Sequence, residues 1–259
     1  GLTSGTYSRY DSSTVGIDKE NKVGVRIENC YVQNNNSYGI YLSSSSNNTI
    51  TGNTIQNNSS YGIYLSTSSN NTIIGNTIQN NGNRGINLNS SSNNTITGNT
   101  VQNNSSVGIR VESSNNTITG NTVQNNGGYG IRIQSSSNNT ITGNTIQNNS
   151  SSGISLSSTS SNNTITGNTV QNNGSYGIYL AASSNNNTIT GNTVQNNSSY
   201  GIYLNSSSHN NTITGNISVS NNSTNIIIAS GCNYNLICTN QHGGSISNSG
   251  TGNKVQNNR

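Results

Sequence analysis

The 259-residue sequence contains no phenylalanine, tryptophan, methionine or proline, and only 5% of its residues are charged. With only 26% hydrophobic residues, this composition is typical of a chain that cannot bury enough apolar surface to fold. A disordered chain of this hydrophobicity would carry many charges, and this one does not. Its few Lys and Arg residues are too scattered for a nucleic-acid surface, so we expect no nucleic-acid partner. No apolar run approaches the length of a membrane span, and we expect none.

The sequence also lacks an initiator methionine and a signal-like first segment, which indicates that the N-terminus at Gly1 is processed. Three cysteines are present, and Cys232 and Cys238 are close enough in sequence to close a small disulfide loop. Such a bond would suit an oxidising compartment, so we expect an extracellular or cell-surface protein. The alternative is three free thiols, and Cys30 has no evident partner.

What the sequence does have is a repeat of about 23 residues, such as GIYLSSSSNNTITGNTIQNNSSY at 39–61. A repeat of this length is typical of a solenoid, in which each unit stacks on its neighbours. An isoleucine column follows the repeat at Ile50, Ile73, Ile96, Ile118, Ile141, Ile165, Ile189 and Ile213. A glycine column follows it at Gly39, Gly62, Gly85, Gly108, Gly130, Gly153, Gly177 and Gly201.

Apolar residues alternate with polar ones inside each repeat. Ile63 and Leu65 flank Tyr64, while Ile73 and Ile78 each follow a threonine. Period-two alternation in short segments predicts strands, and Asn and Gly suit the corners between them. We therefore predict an all-β, single-domain right-handed parallel β-helix with three short strands per turn and about nine to ten turns. An internal amide ladder is expected at Asn53, Asn76, Asn99, Asn121, Asn144, Asn168, Asn192 and Asn216.

The ends of the chain differ from its body. Residues 1–23 hold most of the charge and are interpreted as an N-terminal cap. The β-helix is expected over 24–259, with regular repeats at 36–216 and an irregular last turn at 217–259. The final TGNKVQNNR matches the TGNTVQNN of an ordinary repeat, and we see no C-terminal cap. An uncapped end exposes unpaired strand edges, which favours head-to-tail stacking with other copies of the chain.

One repeat and the start of the next carry a family resemblance, through Asn71, Ile73, Asn76, Ile78, Asn81, Gly85, Ile86 and Leu88. This cassette resembles the parallel β-helix repeat proteins, including carbohydrate-binding and sugar-hydrolase (CASH) domains and NosD-like surface proteins. The resemblance covers residues 24–240 and implies the fold rather than an activity. NosD-like relatives are often described as copper-binding. Because His209 and His242 have no visible ligand companions, we expect no metal and no cofactor.

Carboxylates are scarce in the repeats. After Glu28, the repeats contain a carboxylate only at Glu112. Glycoside hydrolysis ordinarily requires two carboxyl groups, and a calcium site requires several acidic oxygens. The sequence therefore predicts that the chain is not an enzyme.

Two outward columns beside the glycine column are the most distinctive surface feature. The ligand or interface candidates within them, with one neighbouring acid, are Tyr38, Tyr41, Tyr61, Tyr64, Arg84, Arg110, Glu112, Arg132, Tyr176, Tyr179, Tyr200 and Tyr203. Tyrosine rings could stack on sugars while arginines hold an anionic group. Alternatively, the tyrosines simply suit exposed strands and stack on one another, or the columns contact a second solenoid.

The TIT segments place threonine pairs outward in two rows, interrupted by Ile74. Such rows resemble those of ice-binding β-solenoids, although threonine is also an ordinary exposed strand residue. Sequons for N-glycosylation adjoin these rows, with acceptors at Asn47, Asn70, Asn93, Asn115, Asn138, Asn162, Asn186 and Asn210. Glycans there would crowd the threonine rows.

These observations predict an extracellular structural β-solenoid, the subunit of a surface layer or filament that assembles by stacking with itself. The alternative is a carbohydrate-binding or adhesive module whose tyrosine and arginine columns contact a cell-surface polysaccharide. Ice binding through the threonine rows is the third hypothesis.

Overall fold

The computed structural model describes the strand at residues 5–8 and all of residues 15–259. Within these residues the structure consists of short strands joined by tight corners. In chain order the strands are β1 (Gly5–Ser8), β2 (Ile17–Glu20), β3 (Arg26–Glu28), β4 (Cys30–Gln33), β5 (Ile40–Ser43), β6 (Thr49–Thr51), β7 (Thr54–Gln56), β8 (Ile63–Ser66), β9 (Thr72–Ile74), β10 (Thr77–Gln79), β11 (Ile86–Asn89), β12 (Thr95–Thr97), β13 (Thr100–Gln102), β14 (Ile109–Glu112), β15 (Thr117–Thr119), β16 (Thr122–Gln124), β17 (Ile131–Gln134), β18 (Thr140–Thr142), β19 (Thr145–Gln147), β20 (Ile154–Ser157), β21 (Thr164–Thr166), β22 (Thr169–Gln171), β23 (Ile178–Leu180), β24 (Thr188–Thr190), β25 (Thr193–Gln195), β26 (Ile202–Leu204), β27 (Thr212–Thr214), β28 (Ile217–Val219), β29 (Ile226–Ile228), β30 (Leu236–Cys238), β31 (Gln241–His242), β32 (Ile246–Asn248) and β33 (Lys254–Gln256).

The described strands form three parallel sheets of eleven strands each, in which every strand pairs with the strand three places along the chain. We call them the tyrosine sheet (β2, β5 and so on to β32), the threonine sheet (β3 to β33) and the glutamine sheet (β1 to β31), after their most distinctive outward residues. The pairing joins equivalent residues, such as Ile86 with Ile109 and Ile96 with Ile118. The fold is a right-handed parallel β-helix of about ten turns, which confirms the prediction.

Alternation along each strand decides which side chains form the core. In the TIT strand Thr49–Thr51, Ile50 is fully buried between two partly exposed threonines. The corner that follows turns sharply, and its glycine, Gly52, has φ of +63°. This left-handed conformation suits glycine because a Cβ atom would clash with the backbone.

Three asparagine ladders run through the interior, and one of them was predicted. In the predicted ladder, from Asn53 to Asn240, each side-chain Nδ2 donates to the Oδ1 of the next turn at 2.9 Å. A second ladder runs from Asn35 to Asn221, with equivalent bonds of 2.7–3.1 Å. In the third, each Oδ1 accepts the backbone N–H of the preceding turn, as in Asn48 N–H to Asn71 at 2.8 Å. The interior is therefore held by amides as well as by aliphatic columns.

The glycine column faces the core because a side chain does not fit there. A Cβ atom at Gly62 would lie 2.4 Å from a methyl group of Ile78 and 2.8 Å from the carbonyl oxygen of Gly85. The glycines let the chain pass close to the core, and the residue before each glycine then points outward. In this way the column positions Tyr38, Tyr61 and their equivalents on the outer face.

The ends of the described chain depart from the predicted divisions. Strand β2 already pairs with β5, and its Ile17 is buried in the core, so the turns begin before residue 24. The remainder of the predicted cap, residues 1–4 and 9–14, lies outside the described residues. Near the other end, Lys254–Gln256 pairs with Leu236–Cys238 in the threonine sheet, although its sequence resembles a glutamine-sheet strand. The intervening turn is shorter, since Asn235 bonds to Asn253 only 18 residues later.

The predicted disulfide between Cys232 and Cys238 is not formed, and all three cysteines are free thiols. Cys232 is fully buried in the core. Cys238 ends a strand whose middle residue faces the core, and its Sγ lies 3.4 Å from Thr214 Oγ1 on the outer side. The two sulfur atoms therefore belong to opposite sides of the chain. Cys30, for which no partner was predicted, is also buried.

Candidate functional site

The outer face of the tyrosine sheet differs from the outer faces of the other two sheets. Along most of the helix, the threonine sheet presents only threonine pairs and the glutamine sheet only threonine and glutamine. By contrast, every tyrosine between positions 32 and 233, and every charged residue between positions 29 and 253, lies in the outward columns of the tyrosine sheet. From turn to turn, the outward residues vary mainly on the tyrosine sheet, whereas those of the other two sheets stay nearly constant. This difference makes the outer face of the tyrosine sheet the candidate site.

Eight tyrosines form two similar clusters on this face. In the first cluster, Tyr38 stacks on Tyr61 with ring centroids 5.2 Å apart, and Tyr41 stacks on Tyr64 at 5.1 Å. The second cluster repeats the arrangement, with equivalent distances of 5.5 Å and 5.4 Å, in Tyr176, Tyr179, Tyr200 and Tyr203. The stacking that the sequence offered as an alternative is therefore present. Because paired rings cover each other's faces, the clusters offer mainly ring edges and hydroxyl groups to a ligand.

Burial raises the pKa of three of these tyrosines, Tyr38, Tyr176 and Tyr203, and the neighbouring tyrosines raise it further. Their phenol groups therefore stay protonated well into the alkaline range. A neutral phenol both donates and accepts hydrogen bonds, which is the capacity that sugar hydroxyls require.

The arginine cluster, which we define as Arg84, Arg110 and Arg132 with Glu112, lies between the tyrosine clusters. Arg110 donates to Glu112 at 2.5 Å and to Gln134 at 2.9 Å. Arg84 donates to the Asn87 side chain at 2.9 Å. Two of the arginines also lie over tyrosine rings, Arg84 on Tyr61 and Arg132 on Tyr129, each 5.0 Å from the ring centroid.

The cluster has an excess of positive charge that the chain does not neutralise. Arg110 and Arg132 face each other directly in adjacent strands, β14 and β17. Burial lowers the pKa of Arg110, and the charges of Arg84 and Arg132 lower it further, against the opposing effect of Glu112. The Nε atoms of Arg110 and Arg132 are buried without a hydrogen-bond partner.

Two residues of this site were missed in the sequence. Gln134, which binds Arg110, and Ser157, whose buried hydroxyl has no partner, are paired in the sheet register. They belong to a third outward column, two residues beyond the second, which also contains Glu112. Extending the alternation by one more step along the strand would have found them.

The predicted glycosylation acceptors lie at exposed corners between the tyrosine and threonine sheets. Each has φ between 54° and 61°, while the next asparagine faces the core. Their glycosylation stays a prediction. The threonine rows are partly exposed and in register along the threonine sheet, with Ile74 as the interruption. They are separate from the tyrosine face.

Comparison with known proteins identifies the family. A family model described as a right-handed β-helix region matches residues 107–259, which is more than half of the chain. The chain belongs to the right-handed β-helix family. A second model, described as periplasmic copper-binding protein (NosD), matches residues 3–126. Both matches confirm the resemblance to β-helix repeat proteins with NosD-like members.

Solved structures of several β-helix proteins are similar to this chain. The A-module of mannuronan C-5 epimerase AlgE6 from Azotobacter vinelandii has a TM-score of 0.77 at 18% identity, over 90% of this chain and 72% of that one. The Dettilon tailspike protein has a TM-score of 0.74 at 15% identity, over 94% and 61%. The periplasmic alginate epimerase AlgG has a TM-score of 0.60 at 16% identity, over 92% and 74%. No curated protein matches the sequence.

These structures contradict the prediction that the chain is not an enzyme. Two of them are named as epimerases, so proteins of this fold include enzymes, and the scarcity of carboxylates does not exclude catalysis. The prediction was wrong because it treated the lack of paired carboxylates as excluding catalysis in general. A carboxylate pair is required for ordinary glycoside hydrolysis, whereas proton transfer can be carried out by a single carboxylate, tyrosine, lysine or histidine. At 15–18% identity, the similarity itself establishes the fold.

The residues present do not fit the copper site that the NosD description implies. Residues 3–126 contain neither histidine nor methionine, and their single cysteine, Cys30, is buried and donates to the carbonyl oxygen of Glu28. Soft sulfur or imidazole ligands are what copper requires. Among the described residues, no group of three or more His, Cys, Asp or Glu side chains lies together. The part of the chain that the structure describes also has no helix long and apolar enough to cross a membrane.

Proposed function

We propose that this chain binds a polysaccharide along the outer face of the tyrosine sheet, outside the cytoplasm. The observation that carries the proposal is the concentration of tyrosines and charged residues on one of three otherwise uniform faces. The two tyrosine clusters are separated by five strand spacings, about 24 Å, with the arginine cluster between them. A linear polymer that lies parallel to the helix axis would contact all three.

The comparisons support both the ligand class and the location. The names of similar structures refer to mannuronan and alginate, which are polysaccharides. The NosD model and AlgG are described as periplasmic, which supports an extracellular or periplasmic β-solenoid. Secretion and processing of the N-terminus stay predictions.

The test is binding to a panel of immobilised polysaccharides by wild-type protein and a Tyr64→Ser, Tyr179→Ser double variant. Each substitution removes one ring from one cluster and leaves the core unchanged. We expect the double variant to lose about tenfold in affinity, since two partly buried aromatic contacts are removed. Thr142→Ser on the threonine sheet is the matched control and should bind like wild type. Binding that survives the tyrosine substitutions would overturn the proposal.

Enzyme activity on the bound polysaccharide is a second proposal, which the similarity to epimerases supports. Among the described residues of the tyrosine face, the acidic groups that could move a proton are Asp18, Glu20, Glu112 and the tyrosine hydroxyls, and Glu112 is the carboxylate that lies between the two tyrosine clusters. Incubation with mannuronan, followed by NMR of the polymer, would detect inversion at C-5. Glu112→Gln tests whether that carboxylate is required.

Two hypotheses from the sequence stay predictions beside this one. Head-to-tail stacking into a filament would be visible by negative-stain electron microscopy of native material, and lone particles at high concentration would count against it. Ice binding would appear as thermal hysteresis that Thr142→Tyr abolishes, because the larger ring would interrupt the threonine row.

A further inference from the structure

The charge distribution along the chain indicates which kind of polysaccharide the tyrosine face would take. Between residues 29 and 253 the sequence has four charged side chains, and all four form the arginine cluster. Three are positive and one is negative, so the cluster carries an excess of two positive charges. Over more than two hundred residues, the charged side chains are therefore confined to one cluster on one face.

The arrangement within the cluster is unfavourable without a further partner. Like charges directly opposite each other in neighbouring strands are destabilising, and Arg110 faces Arg132 in this way. Glu112 and Gln134 satisfy one nitrogen of Arg110, at 2.5 Å and 2.9 Å. Arg132 has no hydrogen bond or ion pair to any side chain among residues 15–259, and its contact is the ring of Tyr129.

The turn next to Arg132 carries small polar side chains and one hydroxyl without a hydrogen-bond partner. Ser152 and Ser155 occupy the two equivalent positions of the next turn, where most other turns have tyrosine or arginine, and both serines are almost fully buried. Ser157, in the same turn, has a buried hydroxyl without a partner. Arg132 therefore has no anion of its own and adjoins one unpaired hydroxyl, and a guanidinium group in this state suits a ligand carboxylate or sulfate.

We infer that the ligand is an anionic polysaccharide, with one carboxylate or sulfate group held between Arg110 and Arg132. This inference rests on the proposed function, and it adds the charge of the ligand and the position of one charged group. The bound anion neutralises the repulsion between the two arginines. Neutral sugar units on either side contact the hydroxyls and ring edges of the tyrosine clusters.

The test compares ligands that differ only in charge, by isothermal titration calorimetry with the full chain. The ligands are an oligouronate, the same oligosaccharide with its carboxyl groups reduced to alcohols, and a sulfated oligosaccharide of similar length. We expect at least one anionic ligand to bind about tenfold or more tightly than the reduced one, with affinity falling as salt is added. The two anionic arms distinguish carboxylate from sulfate.

Arg132→Gln is the informative variant, because Arg132 makes no hydrogen bond that its loss would break within the described chain. It should abolish the preference for the anionic ligand, so that the anionic and reduced ligands bind with similar affinity. Arg26→Gln removes the same charge from the threonine sheet and is the matched control. Equal affinity for charged and reduced ligands, or a preference that persists in Arg132→Gln, would overturn the inference while leaving polysaccharide binding intact. Absence of binding to all three ligands would overturn both.

Discussion

Removal of one asparagine from an internal ladder should destabilise the β-helix far more than removal of an amide from its surface. The Asn121 side chain makes five hydrogen bonds in the structure. Its Oδ1 accepts the backbone N–H and the Nδ2 of Asn99, and its Nδ2 donates to Asn144 Oδ1 and to the carbonyl oxygens of Ile96 and Thr119, all at 2.9–3.1 Å. All of these groups but the Thr119 carbonyl lie in the buried interior.

The magnitude follows from the groups left unpaired in Asn121→Ala. The buried backbone N–H of Asn99 loses its partner, which costs about 1–3 kcal/mol, and each further lost bond costs about 0.5–1.5 kcal/mol. Since the neighbouring asparagines keep other partners, we expect a total loss of about 3–5 kcal/mol in the free energy of unfolding. Urea denaturation followed by circular dichroism measures this loss. Faster native-state hydrogen exchange at the Asn99 amide would locate it.

The matched control is Gln124→Ala, in the same turn but on the outer face of the glutamine sheet. Gln124 also belongs to an amide ladder, with bonds of 2.8 Å to Gln102 and 2.9 Å to Gln147. These groups can bond to water instead, so the expected loss is below about 1 kcal/mol. Equal losses in the two variants would refute the reasoning that the internal ladders stabilise the fold.

Three further predictions concern the core glycines, the thiols and the tyrosines. Gly85→Ala should lower the free energy of unfolding, measured by thermal denaturation, by about 3 kcal/mol or more, because the new Cβ would come within 2.3 Å of a core methyl group. Gly98→Ala should lower it by only about 1–2 kcal/mol, because Gly98 has a φ of +62° but open space around it. Similar losses would contradict this account of the glycine column. Cys238 should react with iodoacetamide in the folded protein. Cys232 should react only after unfolding, because it is buried and burial raises the pKa of its thiol. Mass spectrometry that shows the reverse order would contradict the placement of Cys232 in the core and Cys238 on the outer side. Burial raises the pKa of Tyr176, so the contribution of its neutral phenol to stability is present below pH about 10 and is lost as the pH rises beyond that. The urea midpoint should therefore fall above pH about 10. An unchanged midpoint would contradict the burial of these phenol groups.

The fold could be predicted because the sequence repeats the same alternation in every turn. Each inward isoleucine has its equivalent in the next repeat, so the core columns follow directly from the period. Two of the three ladders could not be found in this way, because asparagines occur in adjacent pairs such as Asn47 and Asn48. One of each pair adopts the left-handed corner conformation and the other faces the core, and only the backbone register decides which.

Local similarity was misleading near the end of the chain. The segment at 251–258 has the letters of a glutamine-sheet strand, yet a shortened preceding turn moves its strand into the threonine sheet. Length along the turn, rather than sequence identity, determines which sheet a strand joins.

For the candidate site, alternation correctly placed the tyrosines and arginines on one outer face. The sequence could not show that the tyrosine rings pair with each other and cover their own faces, nor that Arg132 lacks a polar partner. These properties depend on side-chain orientation between neighbouring turns, which a repeat pattern does not contain. They change the expected mode of binding from stacking on ring faces to hydrogen bonding along ring edges, with a charged group in the centre.

A crystal structure of the protein with a bound anionic oligosaccharide tests the central claim most directly. The account predicts a sugar chain along the tyrosine sheet, with a carboxylate or sulfate within hydrogen-bond distance of Arg110 and Arg132. An oligosaccharide bound to the threonine or glutamine sheet, with the arginine cluster unoccupied, would contradict it.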